Sequence, residues 1–278
     1  MADASKPRGV LIAGNWKMNH GLAATDAFFA ELAGAAPTAL GAKGIEKLKA
    51  GSLRAWVCPP MLSLARARQQ AATLPFPVSV GAQNVHWEKS GAFTGEVSAP
   101  LLLEQGISMA LVGHSERRQF FGETDQTVRK RTESALALGV RVVLCIGETR
   151  AEREGGRTSA VLHTQLDAVF PAGGAPAAAY LDGRLIIAYE PVWAIGTGLT
   201  ATPAQAEEAH QLVRSFLWDR AGMAAAAATP ILYGGSVTPE NVDSLFACPN
   251  VDGGLVGGAS LKVPSFLALL AAGAQAIG

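Results

Sequence analysis

The sequence predicts an α/β fold built on a parallel sheet, and three observations carry that reading. Eight short runs are apolar on both faces, as in parallel strands covered by helices: Val10–Gly14, Arg54–Cys58, Val78–Ala82, Met109–Gly113, Arg141–Ile146, Leu185–Tyr189, Ile231–Tyr233 and Val251–Val256. Helix-compatible stretches alternate with them, among them Leu22–Leu32, Glu123–Leu138, Thr158–Phe170, Pro203–Trp218 and Pro239–Phe246. Polar residues and glycines gather just past the ends of the runs. The pattern fits a closed eight-stranded barrel or a doubly wound open sheet, and closure removes both sheet edges. A length of 278 residues suits one such barrel, a class that runs to about 250 residues.

The first run leads into Asn15–Trp16–Lys17. Alternation places Asn15 and Lys17 on one side and Trp16 on the other, so Trp16 reads as packing. Gly34–Ser52 reads as a surface insertion. After the third run comes a long polar loop, Gln83–Glu96, which reads as a binding element, since loops of that length are uncommon in a compact domain, or as a surface excursion. The fourth run is followed by His114–Ser115–Glu116–Arg117–Arg118 and the sixth by Glu190. Pro171–Gly183, rich in Gly, Ala and Pro, reads as a second surface insertion. Thr202–Pro203 and Thr238–Pro239 each place a capping hydroxyl before a first-turn proline. The seventh and eighth runs end in Gly234–Gly235–Ser236 and Gly257–Gly258.

Composition narrows the function. With 23 basic and 23 acidic residues the formal charge is zero, which argues against nucleic-acid or membrane-surface binding. An anionic ligand must be held by a local site. Cys58, Cys145 and Cys248 are far apart and lack metal-ligand spacing; Cys145 sits in an apolar run and reads as a core thiol. A sparse, odd count fits a reducing cytosol. Val10–Ala13 is too short for a signal-peptide core, and no run reaches the roughly 18 residues of a membrane span.

The polar residues after the runs carry the chemistry. Glu190 ends a buried strand, Pro191 stiffens the exit and a Gly-rich segment to Gly198 follows. That suits a rigid carboxylate base beside a covering lid, and equally an ordinary strand-to-helix connection with a solvated acid. Lys17 supplies a cation for an anionic substrate, or is a solvated surface charge. His114 is a structural or exposed histidine, or, if a helical turn starts near Ser115 and disfavours an imidazolium there, a neutral ring able to donate to a substrate oxygen. Glu116 reads as a partner for Lys17, and Glu123 as a partner for Arg117 or Arg118. Glycines before helix starts at Ser236 and at Gly257–Gly258 suit backbone N–H groups that hold a phosphate, though a Gly pair alone is often only a turn. In a closed barrel all of these positions converge on the carboxyl end, where active sites of that architecture lie.

Taken together, these residues resemble the triosephosphate isomerase family over essentially the whole chain. The motif Ala188–Gly198 fits without departure, and Asn15–Trp16–Lys17, Gly113–Arg118, Cys145–Glu148 and Tyr233–Ser236 fit in order. The resemblance implies a single (β/α)8 TIM barrel over residues 1–278. It implies interconversion of dihydroxyacetone phosphate and D-glyceraldehyde 3-phosphate through an enediolate, in glycolysis and gluconeogenesis, in the cytoplasm. Glu190, His114 and Lys17 are then catalytic. Asn15, Lys17, Gly196, Ser236, Gly257 and Gly258 bind substrate, and no metal or cofactor is needed. A homodimer through the strand-three loop is also implied. Departures from the family pattern are confined to the two insertions and the Ala-rich segment Ala224–Ala228. Another phosphate-binding barrel enzyme would explain the late glycines but not Lys17, His114 and Glu190 together. A non-catalytic sugar-phosphate binder would lack Glu190 or His114, and both are present.

Overall fold

A computed structural model describes residues 8–170, 183–196 and 200–278. Strands and helices alternate: β1 (Val10–Asn15), α1 (Leu22–Ala50), β2 (Leu53–Cys58), α2 (Met61–Ala71), β3 (Ser79–Val80), α3 (Ala99–Glu104), β4 (Met109–Val112), α4 (Ser115–Phe120), α5 (Asp125–Ala137) and β5 (Arg141–Ile146). Then follow α6 (Arg150–Glu154), α7 (Thr158–Val169), β6 (Leu185–Tyr189), α8 (Pro203–Ala221), α9 (Met223–Ala228), β7 (Ile231–Tyr233), α10 (Val242–Phe246), β8 (Gly253–Val256) and α11 (Val263–Ala276).

The strands pair in parallel in the order β3-β2-β1-β8-β7-β6-β5-β4. The two ends of that sheet meet at Ala82. Its N–H donates to the Met109 carbonyl (2.9 Å) and its carbonyl accepts from the Leu111 N–H (2.8 Å). The sheet is therefore a closed (β/α)8 barrel, and the doubly wound alternative falls away. The third run contributes only two ladder residues, because Ala82 makes its bridge on the far side.

Period-two alternation sorts each strand. Leu11, Ala13, Trp56, Cys58, Leu111 and Cys145 fill the barrel interior, while Val10, Ile12, Ala55, Val57, Val112 and Leu144 face the helices. Gly81 is required inside, where a Cβ would lie 2.6 Å from Met109 and 3.3 Å from the Cys58 sulfur. Burial pushes the Cys58 thiol up to about 12 and holds that of Cys145 well above its ordinary value, so both are inert core thiols.

Two expectations need correction. Gly34–Ser52 is mostly helix, not a surface insertion: α1 continues to Ala50 through a kink at Gly41, where φ is 61°. Leu32, Ala36, Leu40, Gly44 and Leu48 recur every four residues and prolong one inward stripe. That stripe, with the Lys47 ammonium donating to the Ala274 carbonyl at 2.7 Å, lays α1 on α11. The glycines and Pro37 look like loop signals only if the stripe is overlooked. The second correction concerns Thr238–Pro239, which does not start a helix; α10 begins at Val242. The Asn241 side chain takes the Thr238 N–H (2.9 Å) and donates to the Ser236 carbonyl (2.9 Å), folding the segment into a turn first. Thr202 does cap α8, in a reciprocal pair with Gln205. Of Pro171–Gly183, residues 171–182 lie outside the described residues.

Candidate active site

The carboxyl ends of β1, β4, β6, β7 and β8 open on one pocket of about 350 Å³. Asn15, Lys17, His114, Glu190, Gly196, Ser236, Gly257 and Gly258 all line it, so every residue singled out for chemistry or binding meets there. Thr197 and Gly198 of the Gly-rich segment lie outside the described residues. A larger cleft of about 480 Å³ among Arg68, Ser79 and Arg141 lies at the amino ends of β3 and β5, away from these groups.

Lys17 is held from three directions. Its N–H donates to Asn15 Oδ1 (3.0 Å), its carbonyl accepts from Gln83 Nε2 (2.8 Å) and its ammonium meets Glu116 Oε1 at 2.6 Å. Its backbone is strained, with φ at 50°. Trp16 points the other way and is fully buried, edge-on to Phe28 at 4.8 Å, as alternation requires.

His114 caps α4. Its Nδ1 accepts the Glu116 N–H at 3.2 Å, which needs a lone pair there and puts the ring proton on Nε2. Nε2 lies 3.0 Å from Glu190 Oε1. Burial depresses the imidazole's pKa, whereas the Glu190 and Glu116 carboxylates raise it; the balance is upward. In this arrangement the Glu190 and Glu116 carboxylates together outweigh burial, so the ring is easier to protonate than the neutral imidazole expected from the sequence.

Glu190 is 1% exposed. Its Oε2 accepts the Ser115 N–H at 2.8 Å, and its Oε1 faces the Nε2–H of His114 at 3.0 Å. Glycines flank it. A Cβ on Gly234 would lie 2.8 Å from Glu190 Cγ, and one on Gly147 only 1.7 Å from the Glu190 carbonyl. Gln165 brackets Gly147, accepting its N–H (2.8 Å) and donating to its carbonyl (3.1 Å). The carboxylate is therefore set by packed backbone on both sides.

Glu148 closes the motif Cys145–Glu148, and its contacts show what it holds. It is fully buried, and its Oε1 accepts from the Tyr189 hydroxyl (3.0 Å), the Trp193 indole (3.0 Å) and Arg153 Nη1 (3.2 Å). It thereby ties the turn Val192–Ala194, which leads into the Gly-rich segment, to the end of β5. Its signal in the sequence is a carboxylate directly after an apolar strand and a glycine. Gln165 and Gln83 carry no such signal, since each is one polar residue among many. Arg117 pairs with Glu123 at 2.5 Å and Arg118 with Asp125, so both arginines brace the α4–α5 corner.

The model of the family described as "TIM: Triosephosphate isomerase" matches residues 10–273. The chain belongs to the triosephosphate isomerase family. It is 46% identical over 263 residues to the triosephosphate isomerase of Solibacter usitatus, covering 95% of this chain and 99% of that protein. It is 45% identical to that of Chlorobium chlorochromatii, covering 96% and 99%, and 45% identical to that of Paracidovorax citrulli, covering 95% and 98%. The closed barrel and the placing of one pocket at its carboxyl end fit membership of the triosephosphate isomerase family.

Proposed function

We propose that this pocket interconverts dihydroxyacetone phosphate and D-glyceraldehyde 3-phosphate, with Glu190 as the base. The chain is an aldose–ketose isomerase of glycolysis. The observation that carries the assignment of roles is the buried Glu190 carboxylate facing the same pocket as His114 Nε2 and the Lys17 ammonium. The reaction moves a proton between adjacent carbons, and a carboxylate closed off from water beside that path can carry it.

Substrate enters with its phosphate on the glycine side. Ser236, Gly257 and Gly258 present backbone N–H groups there, and Gly196 closes from the lid side. The carbonyl oxygen takes the His114 Nε2–H and inserts between His114 and Glu190. That separates the ring from the carboxylate that raises its pKa, so burial and the α4 start hold the ring neutral. Glu190 removes the carbon-bound proton; negative charge grows on the oxygen, where His114 and Lys17 meet it, with Asn15 holding Lys17 in place. The proton returns at the neighbouring carbon while His114 exchanges protons between the two oxygens.

The proposal extends to assembly and setting. Residues 1–278 form one domain that works in the cytoplasm, without nucleic acid, as a homodimer through the loop after β3. Among the described residues no helix is long and apolar enough to cross a membrane. Met18 (94% exposed), next to Lys17, and Phe93 (41%), on that loop, are apolar side chains that suit a covering partner.

The test is isomerisation in D₂O. A carboxylate that holds the abstracted proton exchanges it with solvent, so deuterium must appear at the carbon that receives it. Glu190→Gln should lower turnover by roughly 10³-fold or more while inorganic phosphate still binds. Near-parent turnover in that variant, or product free of deuterium, overturns the role.

A further inference from the structure

We infer that His20 is a positioning residue for the phosphate end of the site, strapping the Lys17 segment to the segment that carries Gly257 and Gly258. The inference rests on the reading of that pocket as a phosphate site. His20 neither lines the pocket nor reaches the reacting groups.

Two non-glycine residues have positive φ among the described residues, Lys17 at 50° and His20 at 64°. They lie three residues apart in the segment that joins β1 to α1. Such conformations persist where surrounding contacts over-determine them. For His20 those contacts are specific. Its Nε2 lies 3.0 Å from the Leu261 carbonyl, and since a carbonyl only accepts, Nε2 carries the proton. Its own carbonyl accepts from Ser63 Oγ at 2.7 Å, and its ring stands edge-on to Trp16 at 4.7 Å.

Leu261 is the far end of the glycine segment. Its N–H donates to the Gly258 carbonyl (3.1 Å), and Ser260 Oγ donates to the Gly257 carbonyl (2.7 Å). The Lys17 side chain passes beside Gly257, with Cε 3.5 Å from where a Cβ would stand. Lys17 supplies charge to the anion and the glycine N–H groups supply hydrogen bonds. They act together only if the two segments keep a fixed separation. His20 is the side chain that spans them, holding a strained backbone in place to do so.

The consequence is selective. Losing the strap should weaken anion binding and leave proton transfer by Glu190 intact. His20→Gly removes the ring and also the φ penalty, so folding is not at risk from strain. We expect KM for D-glyceraldehyde 3-phosphate to rise roughly fivefold, as for loss of one neutral hydrogen bond. The Kd of inorganic phosphate by calorimetry should rise by the same factor, with kcat within about twofold. His20→Gln places an amide nitrogen the same number of bonds from the backbone and should restore both constants. A purely structural role would shift the melting temperature alone. The strap is overturned if His20→Gly keeps the parent's KM and phosphate Kd, or if His20→Gln fails to rescue them. Parent protein that binds no phosphate, with Lys17→Met indistinguishable from it, would overturn the phosphate reading itself and the strap with it.

Discussion

Gly147 and Glu190 touch backbone to backbone: a Cβ at residue 147 would stand 1.7 Å from the Glu190 carbonyl oxygen. No side chain fits between the end of β5 and the exit of β6. Gly147→Ala must therefore push the two apart, and the base moves with its backbone. Overpacking of this kind costs about 1–3 kcal/mol. A displacement of even 1 Å in a reacting group costs on the order of 100-fold in rate. Turnover should fall by roughly that factor with a smaller change in KM. A Gly147→Ala protein with parent kcat would show that β5 does not position the base.

The His114 titration follows from its neighbours. Burial lowers its pKa and Glu190 with Glu116 raises it, for a net rise above the ordinary value. A raised histidine pKa stabilises the folded state fully below the unfolded value, near 6.5, and the benefit fades as pH rises through the folded value. Glu190→Gln removes the largest upward influence. Nitrogen-detected NMR should then show the imidazole protonating at lower pH than in the parent. The stability difference between the two proteins should be largest on the acid side and shrink toward alkaline pH. An unchanged His114 titration in Glu190→Gln would disprove the coupling.

The loop after β3 is stiffened from within its own chain. Arg131 donates to the Val85 carbonyl (2.7 Å) and pairs with Glu96, Ser134 Oγ donates to the Trp87 carbonyl (2.7 Å), and His86 stacks on Trp87 at 4.1 Å. Its tip, Gly91–Gly95 with Phe93 and Thr94, stays exposed. A stiff loop with an apolar tip is preorganised to bind. On the proposed dimer, replacing Gly91–Gly95 with a short turn should give monomers of much lower activity by sedimentation and assay. A shortened protein that remains dimeric would move the interface elsewhere.

Strand positions and the residues past their ends were legible because both rest on local pattern. Apolar runs covered on both faces and polar residues at their ends need no distant contact to read. Closure was not legible in the strand pattern and came only from the family resemblance, since it depends on Ala82 bonding to β4, a single bridge between the sheet's two ends. The helical course of residues 34–50 was hidden by Pro37 and three glycines, whose local meaning the packing against α11 overrides. Lys17, His114 and Glu190 announced themselves as charged or titratable groups after apolar strands. Gln165 did not, because its role is set by where α7 crosses Gly147. His20 did not either, because nothing in the sequence marks a positive φ at a histidine.

The hinge of the Gly-rich segment hangs on Glu148. One oxygen of this fully buried carboxylate receives the Tyr189 hydroxyl, the Trp193 indole N–H and Arg153. Glu148→Leu keeps much of the volume but strands those donors, at a cost of about 1–3 kcal/mol for each that stays buried. The turn Val192–Ala194 then keeps its backbone bond to the end of β5, from the Val192 N–H to the carbonyl of residue 148 (3.1 Å), but loses the side-chain anchor at Trp193, while Glu190 keeps its contacts with Ser115 and Gly147. The enediolate phosphate survives only while its phosphate is held in the plane of the intermediate and water is kept out. A loosened hinge lets the C–O bond rotate, and phosphate leaves with formation of methylglyoxal. During turnover of D-glyceraldehyde 3-phosphate by Glu148→Leu, inorganic phosphate and methylglyoxal should therefore accumulate in equal amounts, at a higher ratio to isomerised product than in the parent. A slower enzyme with the parent's ratio would mean that Glu148 supports the barrel and has no part in guarding the intermediate.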